Sequence, residues 1–122
     1  MKNSIICEKS YKFAIRIVKL YKYLVEEKHE FTLSKQILKS GTSIGANSEE
    51  AAGAQSDKDF LSKHSIAYKE ERETHFWLRL LRDTNYIDEK QATSLLTDCE
   101  ELLKITTSII RTTKQKLKPT NS

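Results

Sequence analysis

From Asp88 to Leu117 the sequence runs for thirty residues without a glycine or a proline, and its apolar and small residues return at alternating steps of three and four. Ala92, Leu95, Leu96, Cys99, Leu102, Leu103, Thr106, Ile109, Ile110, Thr113 and Leu117 make up this stripe. Such spacing puts them on one helical face that must be covered along its whole length. A helix of this kind draws its stability from packing rather than propensity, so the chain has to supply partners of similar length.

The rest of the chain offers three. A helix is predicted over about residues 8–28, with Phe13, Ala14, Ile17, Val18, Tyr21, Leu24 and Val25 facing inward. A second is predicted over 34–55, with Ser34 as its N-cap, and a third over 57–84. Ser56-Asp57-Lys58-Asp59 reads as a capping box, and Asn85 can take the left-handed conformation that ends a helix. Asp88 with Gln91 caps the fourth, over 88–117. Pro119 is the only proline, and 122 residues suffice for one domain with a core of its own. Short connections between long amphipathic helices favour antiparallel neighbours, hence an all-α, up-down-up-down four-helix bundle in a single domain.

No apolar run approaches the roughly 20 residues of a membrane span. Nothing at the N-terminus has the apolar core and cleavage site of a signal peptide, and Cys7 and Cys99 lie far apart in sequence. The expectation is a soluble, cytoplasmic protein with reduced thiols, no membrane contact, no metal and no cofactor.

All three glycines, Gly41, Gly45 and Gly53, fall within the second predicted helix. Gly41, Gly45, Ser48 and Ala52 line up as a strip of small residues along which a neighbouring backbone can approach closely. Each interior glycine costs about 1 kcal/mol of helix propensity against alanine, which close packing must offset. The segment matches neither phosphate-binding loop pattern, and Gly53 is expected to loosen the end of the helix.

The run from Lys39 to Leu81 carries Ser43-Ile44-Gly45-Ala46-Asn47, Glu50-Ala51, Ser56, Asp59-Phe60, Lys63, Ile66-Ala67, Lys69-Glu70, Glu73 and Trp77-Leu78. It resembles the signature of the four-helix bundle proteins encoded within intervening sequences of bacterial 23S ribosomal RNA genes. Ser48 departs from the aliphatic residue usual in that pattern. The resemblance implies a small helical bundle that assembles as a homopentameric ring. A distant branch, the accessory variability proteins of diversity-generating retroelements, is similar in fold and binds nucleic acid and a reverse transcriptase. A second buried surface also has a reason in the residues, since Leu61, Ile66, Phe76, Trp77, Leu80 and Leu81 cover more than one stripe of the third helix.

Lys63 and Glu70 share a helical face with Phe60, Ala67, Trp77 and Leu81, and charges there need partners. Asn47, Glu50, Lys63, Glu70 and Glu73 are therefore expected to form a structural polar network rather than an active site. Glu-x-x-His, the signature of a bundle di-metal centre, does not occur. His64, Tyr68, Glu71 and His75 fall on another face, expected to be partly solvated, and His64 and His75 are about 16 Å apart along the axis, too far to share an ion. No catalytic residue is assigned, and the chain is read as no enzyme.

Charge is uneven along the chain. Residues 1–25 hold six Lys/Arg and one Glu, a net of +5; residues 26–103 hold ten against sixteen, a net of −6; residues 104–122 hold five and no acid, a net of +5. In the antiparallel bundle the first and last helices are neighbours. Lys9, Lys12, Arg16, Lys19 and Lys22 are thus expected to join Arg111, Lys114, Lys116 and Lys118 in one basic surface that binds RNA or DNA, mainly through phosphates. The alternative is an oligomeric protein–protein adaptor or scaffold, with a partner such as a reverse transcriptase and no nucleic-acid contact.

Overall fold

The computed structural model describes residues 2–119, with side chains from Ile5 onward. Four helices account for nearly all of it: α1 Lys2–Glu26, α2 Leu33–Ala52, α3 Asp57–Asp83 and α4 Glu89–Leu117. There is no strand among the described residues. Each helix packs on the next in the chain, and α1 closes on α4 along the lightest of the four seams. This is the up-down-up-down bundle the connections favour.

α1 begins well before the expected Glu8, because its buried stripe does too. Ile6, Ser10, Phe13, Ile17, Leu20 and Leu24 alternate steps of four and three and are all buried. Of the face expected here, Phe13, Ile17 and Leu24 belong to this stripe, Ala14, Tyr21 and Val25 are half-buried, and Val18 is exposed. Left-handed His29, with φ 53°, turns the chain toward α2.

Ser34 does not cap α2; it sits in the first turn, buried, and Thr32 takes the N-cap position without a side-chain bond. Glu30 does the capping from further back. Its Oε1 accepts from the Ser34 N–H at 2.7 Å, its Oε2 accepts from the Thr32 N–H at 3.3 Å, and the Ser34 hydroxyl donates to the Glu30 carbonyl at 2.8 Å. Burial raises the Glu30 pKa, but the N–H groups of Ser34, Leu33 and Thr32 outweigh it and leave the group below its ordinary value. Gly53 is the C-cap, so α2 stops short of the expected Gln55.

The remaining caps follow the sequence more closely. The Ser56 hydroxyl accepts from the Asp59 N–H at 3.1 Å, while the Asp59 carboxylate accepts from Gln55 N rather than closing a full box. Asn85 is left-handed with φ 66°, and Asp88 and Gln91 form a complete capping box.

Two glycines do let α1 approach α2 closely. A Cβ on Gly41 would lie 2.8 Å from both γ carbons of Ile17, and one on Gly45 would lie 3.4 Å from the Ser10 carbonyl oxygen. Ser48 continues this contact, buried beside Cys7, whose thiol points at the Ser48 carbonyl at 3.5 Å. Ala52 is exposed and does not belong to the strip; Ala51 is the buried residue of that turn.

α3 holds the largest departure from expectation. Its buried stripe is His64, Ala67, Glu71, Thr74, Leu78 and Leu81, so the face read as partly solvated carries two fully buried ionisable groups. Tyr68 and His75, from the same reading, lie at its half-buried edge. The three- and four-residue steps are the decisive signal, and here they run through polar residues.

Candidate nucleic-acid interface

The cations of α1 divide according to which side of the helix they leave. Lys9 and Arg16 project into the α1–α4 seam. Lys9 Nζ lies 3.3 Å from Glu101 Oε1, and Arg16 Nη1 lies 2.6 Å from Asp98 Oδ2 while its Nη2 donates to the Ser94 hydroxyl at 2.9 Å. Lys12 pairs with Glu8 at 3.1 Å within α1. Lys19 and Lys22 are exposed and take no ion pair among the described residues. The acidic first half of α4 thus neutralises Lys9 and Arg16, two of the five cations that were expected to face a polyanion.

Antiparallel packing also sets the ends apart. Lys9 and Arg16 meet Glu101 and Asp98, so Lys19 and Lys22 lie toward the start of α4 and its C-terminal cations lie toward the start of α1. The nine expected cations therefore do not form one surface. Arg111, Lys114, Lys116 and Lys118 are exposed, and α4 has no Asp or Glu after Glu101. Lys114 and Lys116 complement the negative end of the helix dipole, which places cations there for a structural reason as well. Lys116 borders the α2–α3 turn beside Gln55, Asp57 and Phe60.

Arg111 instead faces a groove between α3 and α4, together with Tyr68, Arg72, Leu103, Lys104 and Thr107. Arg72 Nη1 donates to the Tyr68 hydroxyl at 3.3 Å, and its guanidinium carbon sits 6.0 Å from the ring centre. None of Arg72, Lys104 and Arg111 is in an ion pair among the described residues. Arg72 and Lys104 escaped the sequence reading because they lie in or beside the net-acidic middle of the chain. Lys104 shares a face of α4 with Arg111, and the α3–α4 register brings Arg72 to both.

The five residues expected to form one polar network do not. Lys63 Nζ lies 3.5 Å from Glu50 Oε1 across α2 and α3. Asn47 turns back to the Ser43 carbonyl at 2.8 Å, and Glu73 accepts from the Trp77 indole N–H at 3.2 Å. The Glu70 carboxylate takes no hydrogen bond among the described residues; partial burial first, then Glu73, raise its pKa, and Lys39 opposes them. All five are at least partly solvated, so each group finds a local partner or water and nothing forces them together.

The enclosed polar contacts lie one residue on, at Glu71. Thr106 donates its hydroxyl to Glu71 Oε2 at 2.6 Å, and the Cys99 thiol points at the Glu71 carbonyl at 3.4 Å. Burial pushes the Glu71 carboxyl up to about 8 against a smaller lowering by Thr106, and its Oε1 meets no partner among the described residues. Burial likewise lowers His64, which stands edge-on to Phe60 with ring centres 4.6 Å apart. Elsewhere in the core Thr74 donates to Ser40 at 2.9 Å. Both cysteines are held as thiols: burial first and then neighbouring carboxylates raise Cys7, and push Cys99 to about 12. No group of three or more metal-ligating His, Cys, Asp or Glu side chains exists among the described residues.

Residues 2–108 match the model of a family described as 23S rRNA-intervening sequence protein. The chain is also similar to a crystallised protein with unknown function from the S23 ribosomal protein family of Bacteroides thetaiotaomicron. The two share 53% identity over 91% of this chain and 99% of that one, with a TM-score of 0.89. No curated protein is significantly similar.

Proposed function

The chain belongs to the 23S rRNA-intervening sequence protein family, and from that membership we propose that it is a non-enzymatic, cytoplasmic protein that binds nucleic acid mainly through phosphates. The observation that carries the reading is the contrast along α4. Before Leu102 its carboxylates pair with Lys9 and Arg16 of α1, and after it the helix and its C-cap bear Lys104, Arg111, Lys114, Lys116 and Lys118 with no acid at all. A phosphate backbone supplies the charge this segment lacks. Relative to the sequence expectation, the weight moves from α1 to the C-terminal half of α4. Lysine dominates it and acts as a point charge, which suits backbone contact more than base reading.

Fluorescence anisotropy tests the reading. If roughly four to six phosphates are neutralised per site, log affinity falls with log salt at a slope of about −3 to −5. Lys114→Glu, Lys116→Glu and Lys118→Glu together weaken binding of every strand tested. A wild-type protein that binds neither RNA nor DNA at low salt refutes it.

Self-association into a homopentamer forms part of the proposal, as does the adaptor reading that would replace nucleic-acid binding. Both draw support from exposed apolar side chains: Tyr11, Ile15 and Val18 along the outer face of α1, and Ile66 and Phe76 on α3. Sedimentation equilibrium giving a 14.1 kDa species at micromolar concentration would exclude the oligomer. No helix among the described residues is long and apolar enough to cross a membrane.

A further inference from the structure

We infer that the groove between α3 and α4 seats a single-stranded nucleic-acid segment, with phosphates on Arg72, Lys104 and Arg111 and one base against Tyr68. The inference rests on the nucleic-acid reading above and adds to it a place and a strandedness.

Charge gives the first part of the argument. Three cations line a cleft of about 340 Å³ with no carboxylate among the residues that form its walls. Nearby acids are committed elsewhere: Glu100 to His75 at 2.9 Å, Glu73 to Trp77, and Glu71 to the interior with Thr106. Glu70 lies on the α2 side of α3, where it feels Lys39. Lys9 and Arg16 in the α1–α4 seam are paired with Glu101 and Asp98, whereas Arg72, Lys104 and Arg111 gather on one groove without such a partner among the described residues.

Strandedness follows from Tyr68. Its hydroxyl bond to Arg72 keeps the half-buried ring and the exposed guanidinium together as one aromatic and cationic surface in the cleft. A nucleobase stacks on such a surface only when it is splayed from its neighbours, which a single strand permits and a duplex does not. The cleft has room for a nucleotide-sized group. An acidic peptide would satisfy the cations but leave the Tyr68–Arg72 surface without a role.

The test compares labelled oligouridine and oligothymidine of roughly 12 nucleotides with a mixed-sequence duplex by anisotropy. Arg72→Ala, Lys104→Ala and Arg111→Ala together are expected to weaken single-strand binding at least about tenfold and to flatten the salt slope by about 3, one for each phosphate that is no longer neutralised. Lys19→Ala with Lys22→Ala changes it less than about twofold. Tyr68→Leu weakens single strands and leaves the duplex unchanged, whereas Tyr68→Phe retains the preference. If Tyr68→Leu does not fold, photocrosslinking of 4-thiouridine RNA to wild-type protein decides, with adducts expected on α3 and α4 around Tyr68.

Binding of either RNA or DNA single strands through this groove supports the inference. Full affinity in the triple alanine variant overturns it while leaving the broader reading standing, provided the Lys114, Lys116, Lys118 variant has lost binding. Equal affinity for the duplex, or equal competition by polyglutamate, overturns it as well. No binding by the wild type overturns both.

Discussion

Thr106 on α4 donates a 2.6 Å hydrogen bond to Glu71 on α3, and both side chains are fully buried. A carboxyl in this position is easier to hold as the neutral acid than as the anion. Between the ordinary value of 4.5 and the folded value of about 8, the native state keeps a proton that the unfolded chain has released. Stability is then fully present below about pH 4.5, as far as this group is concerned, and falls by up to about 1.4 kcal/mol per pH unit up to about 8. Glu71→Gln removes that slope and is more stable than wild type at the alkaline end. Urea unfolding across the window checks this, and a wild-type stability that does not decline through it rules the account out.

Glycine substitutions separate contact from propensity. Gly41→Ala forces a methyl to 2.8 Å from the Ile17 γ carbons, and overpacking of about 1–3 kcal/mol outweighs the roughly 1 kcal/mol gained in helix propensity. Ile17→Ala in the same chain relieves the clash, so a double-mutant cycle shows favourable coupling. Gly53→Ala meets only the Glu50 carbonyl at 3.8 Å and is expected to be neutral or to stabilise by a few tenths of a kcal/mol. Thermal unfolding distinguishes the two.

Glu30→Ala leaves the first N–H groups of α2 without their carboxylate and costs about 1 kcal/mol near neutral pH. Because this pKa is depressed, the contribution is present above about pH 4.5 and disappears as pH falls through the folded value. The wild-type and variant curves therefore converge in acid. A constant gap down to about pH 2 would show that the cap is not the source.

Arg16→Glu sets a carboxylate against Asp98 in the α1–α4 seam. We expect a loss of about 1–2 kcal/mol that shrinks in high salt, since both groups are partly exposed. Nucleic-acid affinity of the folded protein should change less than about twofold, because this cation already has its anion. Loss of binding without loss of stability would return α1 to the interface.

The residues that revealed the fold are those whose local chemistry has one solution. The three-four stripe of α4, the Asp88–Gln91 box and left-handed Asn85 were legible because neighbours in sequence decide them. The site was less so. His64 and Glu71 are buried because Ala67, Thr74, Leu78 and Leu81 share their phase, whereas the face drawn through Phe60, Ala67, Trp77 and Leu81 pointed to Lys63 and Glu70. Arg16 looked available because Asp98 is 82 residues away. Arg72 joins Lys104 and Arg111 only once two antiparallel helices are set in register, and no local signal carries that register.

The order in which the helices touch bears on how the molecule comes into being. α1 with α2, α2 with α3 and α3 with α4 each form a hairpin between segments that leave the ribosome one after the other. Only the α1–α4 seam requires the two ends of the chain to find each other, and it is the most lightly packed. Its ion pairs are therefore expected to close last, after the search over chain conformations is largely over. A change such as Arg16→Ala would then hasten unfolding while leaving the refolding rate nearly untouched.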